Sequence, residues 1–226
     1  MNQNMTTDDW LAFLARATDL CVHPDDAPVL NATRHRLETN TLIGALMGPV
    51  RTARVVFLTL NPGSSGVEAA EAQRPEVREE MRRILGGDAP LPSFKTNPGG
   101  RVWTQRILTQ FGVRYEAAAD KVAFVNLVPY RSGGLDSKDR RLIPQLPTVK
   151  MVRRWTCDTL FPEARAGKRI VVCIVSHREW GFEPGTQQGI SLFAPKCTRR
   201  QYILLHGPER ENIGRLIRLA VYGEAA

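Results

Sequence analysis

The chain has 226 residues, a formal net charge of +8 and 42% hydrophobic residues. This length suits one α/β domain with a sizeable core, so we expect a single domain over 1–226, with a helical N-terminal part over 1–50 packed on it. No apolar run reaches the roughly 18 residues that a membrane span requires, and the N-terminus lacks the basic and apolar regions of a secretory signal. We therefore expect a cytoplasmic monomer without a membrane partner.

The excess of basic residues makes nucleic acid a candidate partner. The chain contains 31 Lys and Arg against 23 Asp and Glu, and such a surface attracts polyanions. Many basic proteins, however, merely carry solvated positive faces, so the charge needs a site beside it. The four cysteines are scattered without any C-x-x-C pair, which predicts free thiols and no metal centre.

In the first half of the chain the pattern predicts helices on either side of one buried strand. A capped helix begins near Thr7, and a second helix lies within 31–47. The segment 54–60 is apolar throughout, as is typical of a parallel strand covered on both faces. A charged helix over about 67–85 and a loop rich in Pro and Gly follow. The next helix starts near residue 101, with a predicted packing set of Val102, Ile107, Leu108 and Phe111.

In the second half, apolar segments at 121–128, 169–176 and 201–206 predict three further strands. Helices are expected over about 148–160 and 211–223. Strands that alternate with helices predict a three-layer α/β/α fold with a central four-stranded, mostly parallel sheet.

Polar side chains follow three of the predicted strands. Asn61 comes after the first strand, Asn126 ends the second and His206 ends the fourth. In an open parallel sheet, functional groups gather at the carboxyl ends of the strands. We therefore expect these three side chains to share one site.

The chemistry of this set favours cleavage of an N-glycosidic bond. Phosphate-binding, dinucleotide-binding and acyl-transfer motifs are absent from the sequence. Amides and an imidazole suit a substrate that separates into a sugar cation and a base anion once it is held beside a positioned water. An asparagine can orient that water, and a second can donate to O4 of uracil and accept from its N3–H, an arrangement that cytosine violates at both atoms.

Four segments, in order, resemble the uracil-DNA glycosylase superfamily, and above all its mismatch-specific and single-strand-selective branches. They are VVFLTLNPGSSG (55–66), FKTNPGGRVWTQRI (94–107), FVNLVPYRS (124–132) and LLHGPEREN (204–212). The resemblance implies a monofunctional glycosylase that flips uracil out of single- or double-stranded DNA and leaves an abasic site. It implies neither a metal ion nor an organic cofactor.

The resemblance also implies a role for each matched position. Asn61 positions the water and His206 stabilises the leaving base. Phe94 stacks on uracil and Asn126 reads it, with Thr59 and Leu60 beside the base. Backbone groups at Gly63, Ser64 and Ser65 approach phosphate, and Arg210 fills the gap left by the flipped nucleotide.

Two departures from the superfamily pattern keep alternatives open. Thr59 stands where the first motif usually has glycine, and His206-Gly207-Pro208 replaces His-Pro-Ser. A lesion-binding or abasic-site-binding protein of the same fold that has lost catalysis is one alternative, and a glycosylase for another deaminated or damaged base is the other. His177, in VSHREWG, is interpreted as a structural residue.

Overall fold

The computed structural model describes residues 4–93, 95, 97–198 and 204–223. Within this part of the chain, one mixed sheet has the strand order β1-β3-β2-β4-β6-β5. Its strands are β1 (Leu46–Met47), β2 (Val55–Thr59), β3 (Val122–Asn126), β4 (Ile170–Cys173), β5 (Thr186–Gln188) and β6 (Leu192–Ala194). The four inner strands run parallel, and β1 and β5 are antiparallel edge strands. The α/β prediction is thus confirmed, but the sheet has six strands instead of four.

Helices precede β2, connect β2 to β3 and β3 to β4, and follow β6. They are α1 (Thr7–Leu14), α2 (Ala27–Asn31), α3 (Glu68–Glu71), α4 (Pro75–Leu85), α5 (Pro98–Thr109), α6 (Tyr115–Ala118), α7 (Ser137–Leu142), α8 (Pro147–Trp155), α9 (Phe161–Arg165) and α10 (Pro208–Tyr222). A π-helical turn at Thr156–Leu160 joins α8 to α9. No helix in the described ranges has the length and apolar character needed to cross a membrane.

The sheet is covered by helices on both faces. Because successive side chains of a strand point to opposite faces, Val56 and Leu58 of β2 enter one hydrophobic cluster with α1, α4 and α8. Val55 and Phe57 enter a second cluster with α5, α6 and α10. The apolar strands are therefore buried from both sides, and the described chain packs in three layers.

The predicted helix within 31–47 is wrong. The helix present there, α2, ends at Asn31, and the chain then runs irregularly to β1. Its backbone is bonded to distant segments: Glu38 N–H donates to Arg131 O, Ile43 N–H to Leu20 O and Gly44 N–H to Pro129 O. Tertiary partners thus replace the hydrogen bonds of a helix. The N-terminal part is correspondingly less helical than expected.

Two other helix predictions need smaller corrections. The predicted helix over 67–85 is divided into α3 and α4, because Pro75 cannot continue a helix from the preceding turn. Val102 in α5 is 56% exposed, whereas Ile107, Leu108 and Phe111 are buried as predicted.

Among the described residues, the fourth parallel strand is β6, which lies outside the predicted segment 201–206. Residues 201–203 lie outside the described residues, and Leu204 forms only an isolated bridge with Cys197. β6 is reached through a hairpin from β5 and pairs in parallel with β4. His206 is therefore not at the end of a sheet strand, which changes the geometry expected for the site.

Candidate functional site at the ends of two central strands

The carboxyl ends of β2 and β3 bring two of the predicted site residues to one edge of the sheet. Thr59 and Asn126 are direct partners in the parallel register. Beyond the strands the two chains continue side by side, since Leu127 N–H donates to Thr59 O at 3.0 Å and Val128 N–H to Leu60 O at 2.8 Å. Asn61, two residues after Thr59, therefore lies near Asn126, as the sequence predicts.

Asn61 is held by its amide nitrogen. Its Nδ2 lies 2.9 Å from both Ser132 Oγ and Pro62 O and 3.5 Å from Tyr130 O. Ser132 is itself buried and is anchored through its backbone N–H to Pro62 O. No donor among the described residues reaches Oδ1 of Asn61, so this half-buried amide keeps its carbonyl oxygen free to accept a hydrogen bond.

Asn126 is held more tightly, at both ends of its amide. It is 6% exposed. Its Nδ2 donates to Gly44 O at 2.5 Å, and its Oδ1 accepts from the hydroxyl of Thr59, also at 2.5 Å. Thr59, the departure from the superfamily pattern, is thus hydrogen-bonded to the predicted uracil reader.

The segment at Gly44 completes this end of the site. Asn126 N–H donates to Ala45 O at 2.9 Å, so the residues leading into β1 run along the tip of β3. A side chain at position 44 does not fit, because a Cβ there would lie 2.8 Å from Cγ of Pro62. Glycine at 44 therefore lets the backbone approach the Asn-Pro-Gly turn closely. The sequence analysis missed this segment because it predicted a helix there.

The turn after Asn61 is occupied by an internal carboxylate. Glu68 accepts from Ser65 N–H at 3.0 Å, Ser65 Oγ at 2.8 Å and Gly66 N–H at 2.9 Å. Burial opposes ionisation of Glu68, but the hydrogen bonds from Ser65 and the charge of Arg131 outweigh it and keep the pKa of Glu68 below its usual value. The turn predicted to contact phosphate through Gly63, Ser64 and Ser65 therefore lies next to the negatively charged carboxylate of Glu68.

Arg131 braces the same turn. Its Nη1 donates to Gly63 O at 2.8 Å and lies 3.8 Å from the Glu68 carboxylate. Burial is the main reason that the pKa of Arg131 is lowered, and its Nε is buried without a hydrogen-bond partner among the described residues. Arg131 therefore belongs to the support of the turn, a role that the sequence alone did not assign.

His206, which is exposed, and Arg210, which is half-buried, form a separate group where α10 begins. Arg210 Nη1 lies 3.2 Å from His206 Nδ1, and its Nη2 donates to Gln110 O at 3.0 Å. Both residues line an open recess of about 300 Å³ together with Arg218, and neither Asn61 nor Asn126 borders that recess. The structure thus brings the two asparagines together but places His206 apart from them.

Two further predicted residues stand outside the asparagine pair. Phe94, the predicted stacking residue, lies outside the described residues. Leu60 is buried with Leu58 in the first cluster, on one face of the sheet. Phe57 and Phe124 belong to the second cluster, on the opposite face. Trp103 is half-buried and lies edge-on to Phe124 with ring centroids 5.2 Å apart.

His177, interpreted from the sequence as structural, follows the carboxyl end of β4, the other neighbour of β2. The preceding residue, Ser176, has φ +56°, a left-handed conformation that non-glycine residues adopt at a cost of about 1 kcal/mol or more. His177 Nε2 is buried without a partner among the described residues. Burial is also the main cause that lowers the pKa of His177, so the ring is neutral at pH 7. Hydrogen bonds with backbone groups of Pro195 and Cys173 oppose this shift but do not outweigh burial. A neutral imidazole with one unpaired nitrogen near the strand ends has the chemistry that the prediction assigned to His206.

The arrangement as a whole offers neutral hydrogen-bonding groups at two adjacent strand ends. The Asn61 amide has a carbonyl oxygen that is free to accept. The Asn126 amide is fixed by one bond at each end and keeps a second N–H and a second lone pair. In the described part of the chain, no three His, Cys, Asp or Glu side chains are grouped to hold a metal ion. Such an edge can bind a water and a polar heterocycle.

In comparisons with models of protein families, with curated proteins and with solved structures, the chain has no significant match. Its resemblance to the uracil-DNA glycosylase superfamily therefore stays a prediction from four sequence motifs.

Proposed function

We propose that this protein is a monofunctional DNA glycosylase that hydrolyses the N-glycosidic bond of uracil in DNA. One observation carries the proposal: Asn61 and Asn126 lie at adjacent strand ends, each with its amide held by buried partners, and the carbonyl oxygen of Asn61 has no donor among the described residues. This is the pair that the chemistry requires, one amide for a water and one for a base edge.

The proposed reaction needs little from the protein beyond placement. Uracil, turned out of the DNA, is held by Asn126, and Oδ1 of Asn61 orients a water towards C1′. The bond between C1′ and N1 breaks with its electron pair going to the base, and the water oxygen bonds to C1′. The water's proton passes to the departing base or to solvent. No metal or organic cofactor enters this scheme.

Two imidazoles are candidates for stabilising the departing base. The sequence resemblance favours His206, whereas the geometry favours His177, because the exposed His206 is paired with Arg210 at the start of α10 and His177 has a buried, unpaired nitrogen beside the sheet. Separate His177→Gln and His206→Gln variants distinguish the two residues. Only substitution of the histidine that stabilises the departing base should lower the rate of base removal.

The parallel core of the sheet supports the proposal. Strands β3, β2, β4 and β6 are consecutive and parallel, as expected for the superfamily's four-stranded sheet. We take β1 and β5 as edge strands added to such a core.

The test is a single-turnover reaction with excess protein and a uracil-containing oligonucleotide, followed by alkaline cleavage of abasic sites. The proposal expects cleavage at the uracil position and far slower cleavage when cytosine replaces it in single-stranded DNA. If the uracil oligonucleotide is still intact after prolonged incubation, the proposed glycosylase activity is refuted.

A second candidate function is binding of lesions or abasic sites without catalysis. The exposed position of His206 at the start of α10, paired with Arg210, favours it. Tight binding of an abasic-site analogue, combined with no base removal in the reaction above, would establish this alternative.

A further inference from the structure

The side-chain amide of Asn126 has a fixed orientation. Gly44 O is a carbonyl and can only accept, so the atom of the amide that faces it at 2.5 Å must be the nitrogen. Thr59 supplies the matching donor on the other side, with its hydroxyl 2.5 Å from Oδ1. The hydroxyl also lies 3.2 Å from Val125 O, its longer acceptor, so the Gly44 carbonyl fixes the orientation and the short contact to Oδ1 complements it.

Turning this amide over is costly. A turned amide would place Oδ1 against the Gly44 carbonyl, two acceptors at hydrogen-bonding distance with no proton between them. It would also exchange the short bond that Thr59 donates to Oδ1, because Thr59 Oγ1 can accept from the turned nitrogen only when its own proton moves to Val125 O, 3.2 Å away. Because Asn126 and Thr59 are 6% and 5% exposed, water does not readily replace either contact.

The fixed amide still has hydrogen-bonding capacity to offer. Each contact uses one N–H and one acceptor position, so a second N–H and a second lone pair are left without a partner among the described residues. They present a donor and an acceptor in one set order. A base with a carbonyl beside a ring N–H fits that order, as in uracil, thymine and hypoxanthine, whereas cytosine and adenine carry the reverse pattern.

We propose that Thr59 is a specificity-determining residue, which together with the Gly44 carbonyl locks the Asn126 amide so that the site accepts bases with a carbonyl beside a ring N–H and rejects cytosine. This inference rests on the proposed glycosylase function and deepens it. A reversed amide would donate to N3 of cytosine and accept from its amino group, so the lock, and not the asparagine alone, protects normal cytosine.

The decisive comparison is between Thr59→Val and Thr59→Ser. Valine keeps the shape of threonine but removes the hydroxyl, whereas serine keeps the hydroxyl. The measured quantity is the ratio of kcat/KM for uracil to that for cytosine in otherwise identical single-stranded oligonucleotides. We expect Thr59→Ser to keep the wild-type ratio and Thr59→Val to lower it about fivefold to tenfold, the effect of one hydrogen bond. An unchanged ratio in Thr59→Val, with uracil removal intact, would overturn the proposal.

Thr104→Val is the matched control for the loss of a buried hydroxyl. Thr104 is buried, and its hydroxyl has no hydrogen-bond partner among the described residues. We expect this variant to keep both the ratio and the thermal midpoint. A similar fall of the ratio in Thr104→Val would assign the effect to general destabilisation and overturn the special role of Thr59.

A separate readout distinguishes failure of the lock from failure of the proposed function. If wild-type protein removes no base, the glycosylase assignment fails and the base specificity falls with it. Hydrogen exchange of the Asn126 side-chain NH₂, followed by NMR, then tests the lock by itself. Slow exchange in wild type and Thr59→Ser with faster exchange in Thr59→Val supports it, and equal exchange in all three overturns it.

Discussion

The strand-end pair, Asn61 and Asn126, and the helix-start pair, His206 and Arg210, are built in opposite ways. The asparagines are fixed by buried partners that come from other segments of the chain, such as Ser132 and Gly44. The helix-start pair consists of an exposed histidine and a half-buried arginine, held by contacts within one helical turn and with Gln110 O. A side chain held by buried partners can present one atom in one direction, whereas a pair at the surface contributes mainly charge. The predictions below test this difference.

The largest effect is expected for Asn61→Ala. Removal of the oxygen that orients the water should lower the single-turnover rate of uracil removal about hundredfold, comparable to the loss of one oriented group in other active sites, with DNA affinity unchanged. Asn212→Ala, at a half-buried asparagine of α10 bonded to Arg215, is the control and should keep the rate. Full turnover in Asn61→Ala would remove Asn61 from the mechanism.

Ser132→Ala should have the next largest effect. It deletes the hydroxyl that holds Nδ2 of Asn61 at 2.9 Å, so the amide can rotate and the rate should fall about fivefold to tenfold, with a loss of about 1 kcal/mol in the free energy of unfolding. The control is Ser191→Ala, since the buried hydroxyl of Ser191 donates to backbone carbonyls away from the site. This control should lose stability but keep its rate. Equal rates for both variants would contradict a positioning role for Ser132.

Arg210→Ala should change binding more than chemistry. Arg210 is half-buried at the surface, and removal of an arginine that neutralises one phosphate should weaken DNA binding about threefold to tenfold and reduce the slope of log affinity against log salt by about one. Arg74→Ala is the control, because Arg74 is paired with Glu76 before α4. An unchanged salt slope in Arg210→Ala would exclude it from the DNA contact.

The smallest effect is expected for Glu68→Gln, and it has the opposite sign. Removal of the negative charge from the turn at Ser65 should strengthen DNA binding about twofold to threefold at neutral pH, as measured by fluorescence anisotropy. Glu76→Gln, at an exposed carboxylate with an arginine partner, should have no effect. Weaker binding in Glu68→Gln would show that Glu68 serves mainly to order the turn.

The pH dependence of this turn follows from the same carboxylate. The pKa of Glu68 is lowered in the folded protein relative to the value of 4.5 expected without such contacts. Its stabilising contribution is therefore complete above about pH 4.5 and is lost as the pH falls through the lowered pKa. Between wild type and Glu68→Gln, the difference in thermal midpoint should accordingly shrink on acidification below this range.

The strand ends could be predicted because both strands carry their signal locally. The apolar segments that become β2 and β3 predict buried parallel strands, and parallel topology then brings their carboxyl ends together. Asn61 and Asn126 follow directly from that placement. Thr59 was also noted from the sequence, but its bond to Asn126 depends on the register between two strands far apart in the chain.

The remaining parts of the site depend on contacts that leave no local pattern. The spacing of apolar residues around Leu42 and Leu46 imitates a helix, although the segment pairs with the tip of β3. β6 has three residues, too short for a periodic signal, and the more apolar segment at 201–206 was preferred in its place. His206 was assigned to a strand end for that reason alone.

The close approach of Gly44 to Pro62 couples two positions that are remote in the sequence. No side chain at position 44 fits against the proline ring, so any descendant or ancestor of this chain that keeps proline at 62 is constrained to keep glycine at 44. A substitution at 44 should therefore be tolerated only together with one at 62. This linked pair, combined with the asparagines at 61 and 126, is a fingerprint by which diverged members of the same lineage can be identified when overall similarity has faded.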